Sequence, residues 1–273
     1  MKKTGFILLL LCLTSLSFAQ ERFYHIYEGW VCNEIKESEI NYSTWGLEVV
    51  PVSGGYKLIR QSLSHDGEFD SVTNEYLIDP YITTTVYSSN NFAAHTENST
   101  YIAAYIKYAD NSFYPLFIKY DEAIQDTVIS RIYMEIFTDM QVIFMSILHH
   151  NDMNYLLGKT DDYDYHRGLS LHAIDTLGNI EFNKHFEPTS SHPDADVGRP
   201  LQIVPATDGG FAITFEERFS SGYMTNQDAY CLKVDSLGNE QWRCAIGHHD
   251  TVNYRPFVFP RENGNYYFTY SDP

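Results

Sequence analysis

Cysteine is scarce in this chain, with four in 273 residues. Beyond residue 19 there are Cys32, Cys231 and Cys244, too few for a scaffold stapled mainly by disulfides. Basic residues are also few: 18 Lys and Arg stand against 36 Asp and Glu, for a formal charge of −18. Such a surface repels nucleic acid and anionic lipid, and suits solubility, cation association or a basic partner. No stretch holds 18 consecutive apolar residues, which excludes a membrane-spanning helix by length. There is no convincing amphipathic helix, no G-x-S-x-G, no H-E-x-x-H and no phosphate loop. No cofactor is implied, and no catalytic constellation stands out.

Aromatic residues, by contrast, are plentiful. They reach 15%, with 22 Tyr and 17 Phe, in a chain that is 44% apolar. Aromatic and β-branched side chains suit pleated, half-buried surfaces, so strands are expected. Residues 1–19 have the three parts of a secretory signal. Lys2-Lys3 is the basic start, Phe6 to Leu13 the apolar run, and Ser17-Phe18-Ala19 the small-residue site before Gln20. Cys12 lacks the small residue before it that a lipid-anchor cysteine needs. The expectation is an exported chain, secreted or held at the cell surface, with residues 20–273 forming one β domain. Losing Lys2 and Lys3 makes the remainder more acidic still.

Two anchors recur along the chain. The first is a turn followed by an aromatic that opens a strand, at Tyr56, Tyr101, Tyr155, Phe211 and Tyr266. The second is an alternating apolar run that ends in Asp before a tight turn, at Asp66, Asp121, Asp175 and Asp235. Both repeat at roughly 55 residues, a spacing that means stacked supersecondary units. The best copy reads as four strands: Leu201–Val204, Phe211–Phe215, Ala229–Val234 and Gln241–Ile246. Within it Tyr230, Leu232 and Val234 share one face. Met134–Leu148 is apolar enough for a helix, but its Ile, Val, Phe and Thr suit strands better. The expected fold is all-β and propeller-like, with four-stranded antiparallel blades in about five units. The last unit, Pro256–Phe259 and Tyr266–Tyr270, reads as incomplete. Arg22–Trp30 resembles a fourth strand that would complete it.

The run Asp228-Ala229-Tyr230-Cys231-Leu232-Lys233-Val234-Asp235-Ser236-Leu237-Gly238-Asn239-Glu240-Gln241-Trp242, with Thr207-Asp208-Gly209-Gly210-Phe211 before it, resembles the repeats of secreted bacterial β-propeller proteins. The pattern is of the SBBP type, and the chain is similar to surface proteins of the Bacteroidota type. The likeness is good over residues 199–247, fair over 141–187 and weak before 130. It implies fold and export, not an activity.

Several candidate sites follow. Pairing Val234 with Gln241 puts Cys231 opposite Cys244, within reach of a disulfide, with free thiols or a metal or redox role as alternatives. Asp194 and Arg199-Pro200 recur as Asp250 and Arg255-Pro256, just before the innermost strand of two units. They read either as ion pairs pinning unit to unit, or as a rim where Arg forks grip carboxylate or phosphate. His192 and His248-His249 lie in the same loops, as solvated residues or metal ligands. Asp161-Asp162-Tyr163-Asp164 is acidic but lacks the spacing of a calcium loop. The inner strands, taken as Leu47–Val52, Ile82–Val86, Gln141–Ile147, Leu201–Val204 and Pro256–Phe259, supply only Glu48 as a carboxylate. Glycosidic hydrolysis needs two. The expectation is therefore a binding or adhesion module for a glycan or protein. An extracellular polysaccharide hydrolase and a structural spacer are the alternatives.

Overall fold

A computed structural model describes the backbone of residues 31–37, 41–49, 56–64, 69–79, 86–87, 93–107, 112–124, 126–133, 140–162, 167–189, 195–221, 224–246 and 254–271, with side chains within 93–271. Every regular element among them is a strand. The chain divides into two units, Met1–Tyr81 and Ile82–Pro273.

The first unit holds β1 (Val31–Glu37), β2 (Asn41–Val49), β3 (Tyr56–Ser64) and β4 (Phe69–Asp79), an antiparallel meander in chain order. Here the sequence reading needs correction. The strand expected at Leu47–Val52 is Asn41–Val49, and it is second in its sheet because β1 pairs outside it. Glu34, Lys36 and Glu37 break the apolar alternation of β1 and hide it in the sequence. Arg22–Trp30 lies outside the described residues.

The second unit begins with β5 (Val86–Tyr87) and β6 (Ala93–His95), which both pair with β7 (Ser99–Lys107), followed by β8 (Phe113–Asp121) and β9 (Asp126–Ile132). Two regular meanders come next. One is β10 (Met140–His150), β11 (Met153–Asp162), β12 (Leu169–Asp175) and β13 (Ile180–Phe186). The other is β14 (Asp196–Pro205), β15 (Phe211–Ser221), β16 (Met224–Val234) and β17 (Glu240–Ile246). The chain ends with the hairpin β18 (Tyr254–Pro260) and β19 (Tyr266–Ser271). The four strands expected around Phe211 are all present, most of them longer than the alternation alone suggested. Met140–His150 is a strand, as its β-branched content required.

Strands with two apolar faces must be covered twice, and in this unit successive sheets do that for each other. Val142, Phe144, Tyr101 and Phe117 fill one interface. Leu171, Leu157, Phe215, Ile213 and Leu232 fill the next. Cys231, Ala212, Ile246 and Val258 fill the third. Burying each large side chain contributes roughly 1.5–3 kcal/mol.

The recurrent Asp closes its turn. In β12–β13, Asp175 Oδ1 accepts from the amides of Leu177 and Asn179, each at 2.8 Å, while Asn179 Nδ2 donates to Oδ2 at 2.7 Å. Asp235 makes the same three bonds with Leu237 and Asn239. Gly178 and Gly238 take φ of 81° and 76°, which L side chains avoid. Each turn also docks on the preceding sheet. Arg131 Nη1 donates to Gly178 O at 2.6 Å, and Lys184 Nζ to Asn239 Oδ1 at 2.9 Å. Lys233 is buried yet satisfied: its ammonium donates to Asp208 Oδ2, Val234 O and Gln241 Oε1, all within 2.9 Å. That hydrogen bond from Lys233, with the Gly210 amide, holds the Asp208 carboxyl below the usual range.

Cys231 and Cys244 face each other across β16–β17. The pairing of Val234 is with Glu240 rather than Gln241, because a bulge at Lys233/Val234 absorbs one residue. Here the two cysteines are free thiols, Cys231 buried and Cys244 exposed. Burial pushes the Cys231 thiol up to about 12 and raises that of Cys244, and the protonated thiol is the unreactive form.

These features generate three predictions. Gly178→Ala meets only the left-handed strain, about 1 kcal/mol by denaturant melting, since nothing lies closer than 3.5 Å to its new Cβ. Gly238→Ala places a Cβ 2.8 Å from Phe182 of β13, so it costs more, on the order of 2–3 kcal/mol. Equal losses would show that the turn does not dock as described. His172 is fully buried against Phe144, and burial lowers its pKa to about 3. Between that value and the ordinary one near 6.5 the unfolded chain binds the proton, so stability is complete above 6.5 and falls on acidification. The loss attributable to this group is ~2 kcal/mol by pH 5. His172→Leu should flatten the urea midpoint between pH 7 and 5 by that amount, and an unchanged slope would refute the assignment. Finally, iodoacetamide at mildly alkaline pH should alkylate Cys244 in the native protein and Cys231 only after unfolding. Protection of both, with a mass lower by two hydrogens, would instead show an oxidised pair.

Candidate functional site: a basic rim around Glu216

The two Arg-Pro pairs singled out in the sequence occupy matching structural positions. Arg199-Pro200 lies in β14 between two register shifts, Val197/Arg199 and Pro200/Gln202. Arg255-Pro256 lies in β18 inside the shift Tyr254/Phe257. A bulge re-aims side chains, and Pro fits one because it brings no N–H to the ladder. Both Pro residues are buried and both Arg residues exposed. Their expected partners, Asp194 and Asp250, lie outside the described residues, as do His192, His248 and His249.

What the two bulges share is a carboxylate that the sequence reading passed over. Glu216 of β15 is 3% exposed. It is the cross-strand partner of Arg199. Its Oε1 accepts a 2.9 Å hydrogen bond from the Arg255 amide of the next sheet, and Arg218 Nη2 stands 3.8 Å from its Oε2. Beside it, Asp196 is the cross-strand partner of Arg218. Lys159 Nζ lies 2.9 Å from Asp196 Oδ1 and Arg167 Nη1 3.1 Å from Oδ2, while Val197 N donates to Arg167 O. Basic residues of three successive sheets thus meet here: Lys159 and Arg167 pair with Asp196, Arg218 stands by Glu216, Arg199 is opposite Glu216 in the ladder, and Arg255 reaches Glu216 through its backbone amide. Among the described residues, these five basic residues outnumber the two carboxylates they adjoin, in a chain of formal charge −18.

The opposite side of β15 carries Glu217, fully buried and paired across the ladder with Asp228. Glu217 Oε1 accepts from the Thr189 amide at 2.6 Å, with Arg243 Nη1 at 3.9 Å. Arg243 in turn donates to Glu187 O and Thr189 Oγ1. Glu217 thus holds a chain segment rather than lining an open surface. Burial, with the charges of Glu217 and Asp228, pushes the nearby Tyr230 phenol up to about 12.

The inner strands alone do not reveal Glu216 and Glu217, because both lie on the second strand of their sheet. The available signal was the run Thr214-Phe215-Glu216-Glu217-Arg218, where an alternating apolar strand turns acidic on both faces at once. Glu48 lies in β2, and its side chain is outside the described residues. Of the acidic run Asp161-Asp162-Tyr163-Asp164, Asp161 and Asp162 end β11, while Tyr163 and Asp164 lie outside the described residues. Among the described residues no group of three His, Cys, Asp or Glu is placed to hold a metal ion.

No protein-family model matches the chain, and no curated protein sequence matches it. Solved structures do. The subtype N10 neuraminidase-like protein of A/little yellow-shouldered bat/Guatemala/060/2010 aligns with TM-score 0.54 and 9% identity, over 88% of this chain and 74% of that one. The Penicillium chrysogenum α-L-arabinanase complexed with arabinobiose aligns with TM-score 0.51 and 12% identity, over 88% and 79%. A neuraminidase-like protein from A/bat/Guatemala/164/2009 aligns with TM-score 0.51 and 8% identity, over 83% and 61%. Likeness at such identity speaks of the fold alone: the chain folds as a β-propeller.

Proposed function

We propose that this protein is an exported β-propeller that binds an anionic extracellular glycan at the rim around Glu216. The observation that carries the reading is the gathering of Lys159, Arg167, Arg199, Arg218 and Arg255 at the ends of three successive sheets in a strongly acidic chain. Arginine presents a planar fork that matches carboxylate and other oxyanions, and two of these arginines are exposed on bulges. The acidic balance of the chain as a whole disfavours a polyanion away from such a cluster. A saccharide ligand is supported by the arabinanase complexed with arabinobiose that shares the fold. Export is supported by the basic, apolar and small-residue pattern of residues 1–19 and by the secreted-repeat likeness around Asp228–Trp242.

Hydrolysis of an extracellular polysaccharide is the second reading, favoured by the buried carboxylates Glu216, Glu217 and Asp228. General acid–base work on a glycoside needs two carboxyl groups facing the scissile bond. Here Glu216 and Glu217 already accept backbone amides, so binding is the stronger reading.

The test is titration calorimetry with trigalacturonate, sialyllactose and neutral arabinotriose at two salt concentrations, with a reducing-sugar assay alongside. Binding of an acidic sugar, weakened by salt and lowered about 10–100-fold in Arg199→Ala/Arg255→Ala, is the expected result. Equal affinity for arabinotriose would remove the anionic reading. Release of reducing ends would replace binding by hydrolysis.

A further inference from the structure

Arg255 has φ of 51°. The other non-glycine residues with positive φ among those described are Asn151 and Asp152, consecutive in the β10–β11 hairpin turn, where such values are ordinary. Arginine has no local hydrogen bond of its own to offset the left-handed region, so its conformation there is held from outside. The holder is identifiable. The Arg255 amide donates to Glu216 Oε1 at 2.9 Å, and Glu216 is only 3% exposed. A charged acceptor screened from water makes this the stronger kind of hydrogen bond. Pro256, buried behind it, fixes the next φ and needs no ladder partner. Two residues further along the inner strand, Val258 N donates to Gln202 Oε1 of β14 at 2.9 Å, so the two inner strands are tied side by side.

We propose that Glu216 is a positioning residue, whose buried carboxylate holds the Arg255 backbone in its left-handed form and so sets Arg255 and Arg199 as a two-armed grip for one oxyanion. This rests on the anionic-ligand reading above. Glu216 serves both arms: it is opposite Arg199 in the β14–β15 ladder and bonded to the Arg255 amide in the next sheet. Its own charge is shared with a third arginine, since Arg218 Nη2 stands 3.8 Å from its second oxygen. An arginine on a held backbone gives up less freedom when it closes on a ligand, which is the gain from preorganisation. Carboxylated and sulfated sugars share the required chemistry.

The experiment uses the full exported chain and the variants Glu216→Ala, Glu216→Gln, Arg255→Gly and Glu216→Ala/Arg255→Gly. Two readouts are taken: the Arg255 amide resonance in a ¹⁵N–¹H spectrum, and affinity for trigalacturonate and for a sulfated disaccharide. In the unsubstituted chain the Arg255 amide proton should resonate well downfield. It should move upfield in Glu216→Ala and partly in Glu216→Gln. Affinity for the preferred sugar should fall about ten-fold in Glu216→Ala and in Arg255→Gly, with no further fall in the double variant, because both act through one arm. Glycine accepts the left-handed backbone, so Arg255→Gly tests the arm without relying on a strained fold. An unmoved amide resonance in Glu216→Ala overturns the holding role. A moved resonance with additive losses in the double variant overturns the coupling to the grip. Failure of both sugars to bind the unsubstituted chain overturns the anionic-ligand reading, while the resonance still decides whether Glu216 holds Arg255.

Discussion

The constraint on which the rest of residues 82–273 depends is that a strand meander with two apolar faces cannot stand alone. Leu171 and Phe215 are each buried because one sheet lies against the next. Val142 with Phe117, and Cys231 with Val258, repeat the arrangement at the neighbouring interfaces. Apolar contact is non-directional, so by itself it leaves sheets free to slide. Directional contacts remove that freedom. Arg131 on Gly178 O and Lys184 on Asn239 Oδ1 set each turn against the sheet before it. The Asp-x-Leu-Gly-Asn sequence is therefore more than a way to reverse the chain: it presents a carbonyl and an amide oxygen at a fixed place for a cation on the neighbouring strand.

Buried charge follows the same logic. Burying an ammonium or carboxylate costs several kcal/mol unless every polar atom is met. Lys233 is met by three acceptors, and Glu217 by a backbone amide and Arg243. Glu216 is met by a backbone amide from another sheet, one that belongs to an exposed arginine on a bulge. At that point a packing solution becomes a candidate site. The groups that register one sheet against the next are also the groups that bring basic residues together at the sheet ends, so packing and the candidate site share residues there.

The fold was largely legible because its signals are local. Alternation over Ala229–Val234, the aromatic after each turn and the Asp before the next act within a few residues, and the described copies at Asp121, Asp175 and Asp235 each end a strand or open its turn, while Asp66 lies outside the described residues. Legibility failed where local signals were diluted or where one residue was absorbed. β1 was hidden by its charges, the sheet of β5–β9 has an interrupted first strand, and the bulge at Lys233/Val234 moved the partner of Val234 while leaving Cys231 opposite Cys244. The site was half legible. The recurrence of Arg199-Pro200 at Arg255-Pro256 marked the right loops, but Glu216 sits on a different strand in the middle of an ordinary-looking run, and no short-range spacing connects it with either arginine.

The amino-acid sequence by itself determined the strands, the turn chemistry of Asp175 and Asp235, the acidic balance and the secretory pattern at the start, since each depends on neighbours along the chain. Only the tertiary structure decided which carboxylate lies under which arginine, that Arg255 takes a backbone form arginine does not choose, and that Cys231 is buried while Cys244 is exposed. The physical reason is range. Backbone preference and alternation act over a few residues, whereas the Arg255–Glu216 hydrogen bond joins positions 39 residues apart, through the packing of one sheet on another.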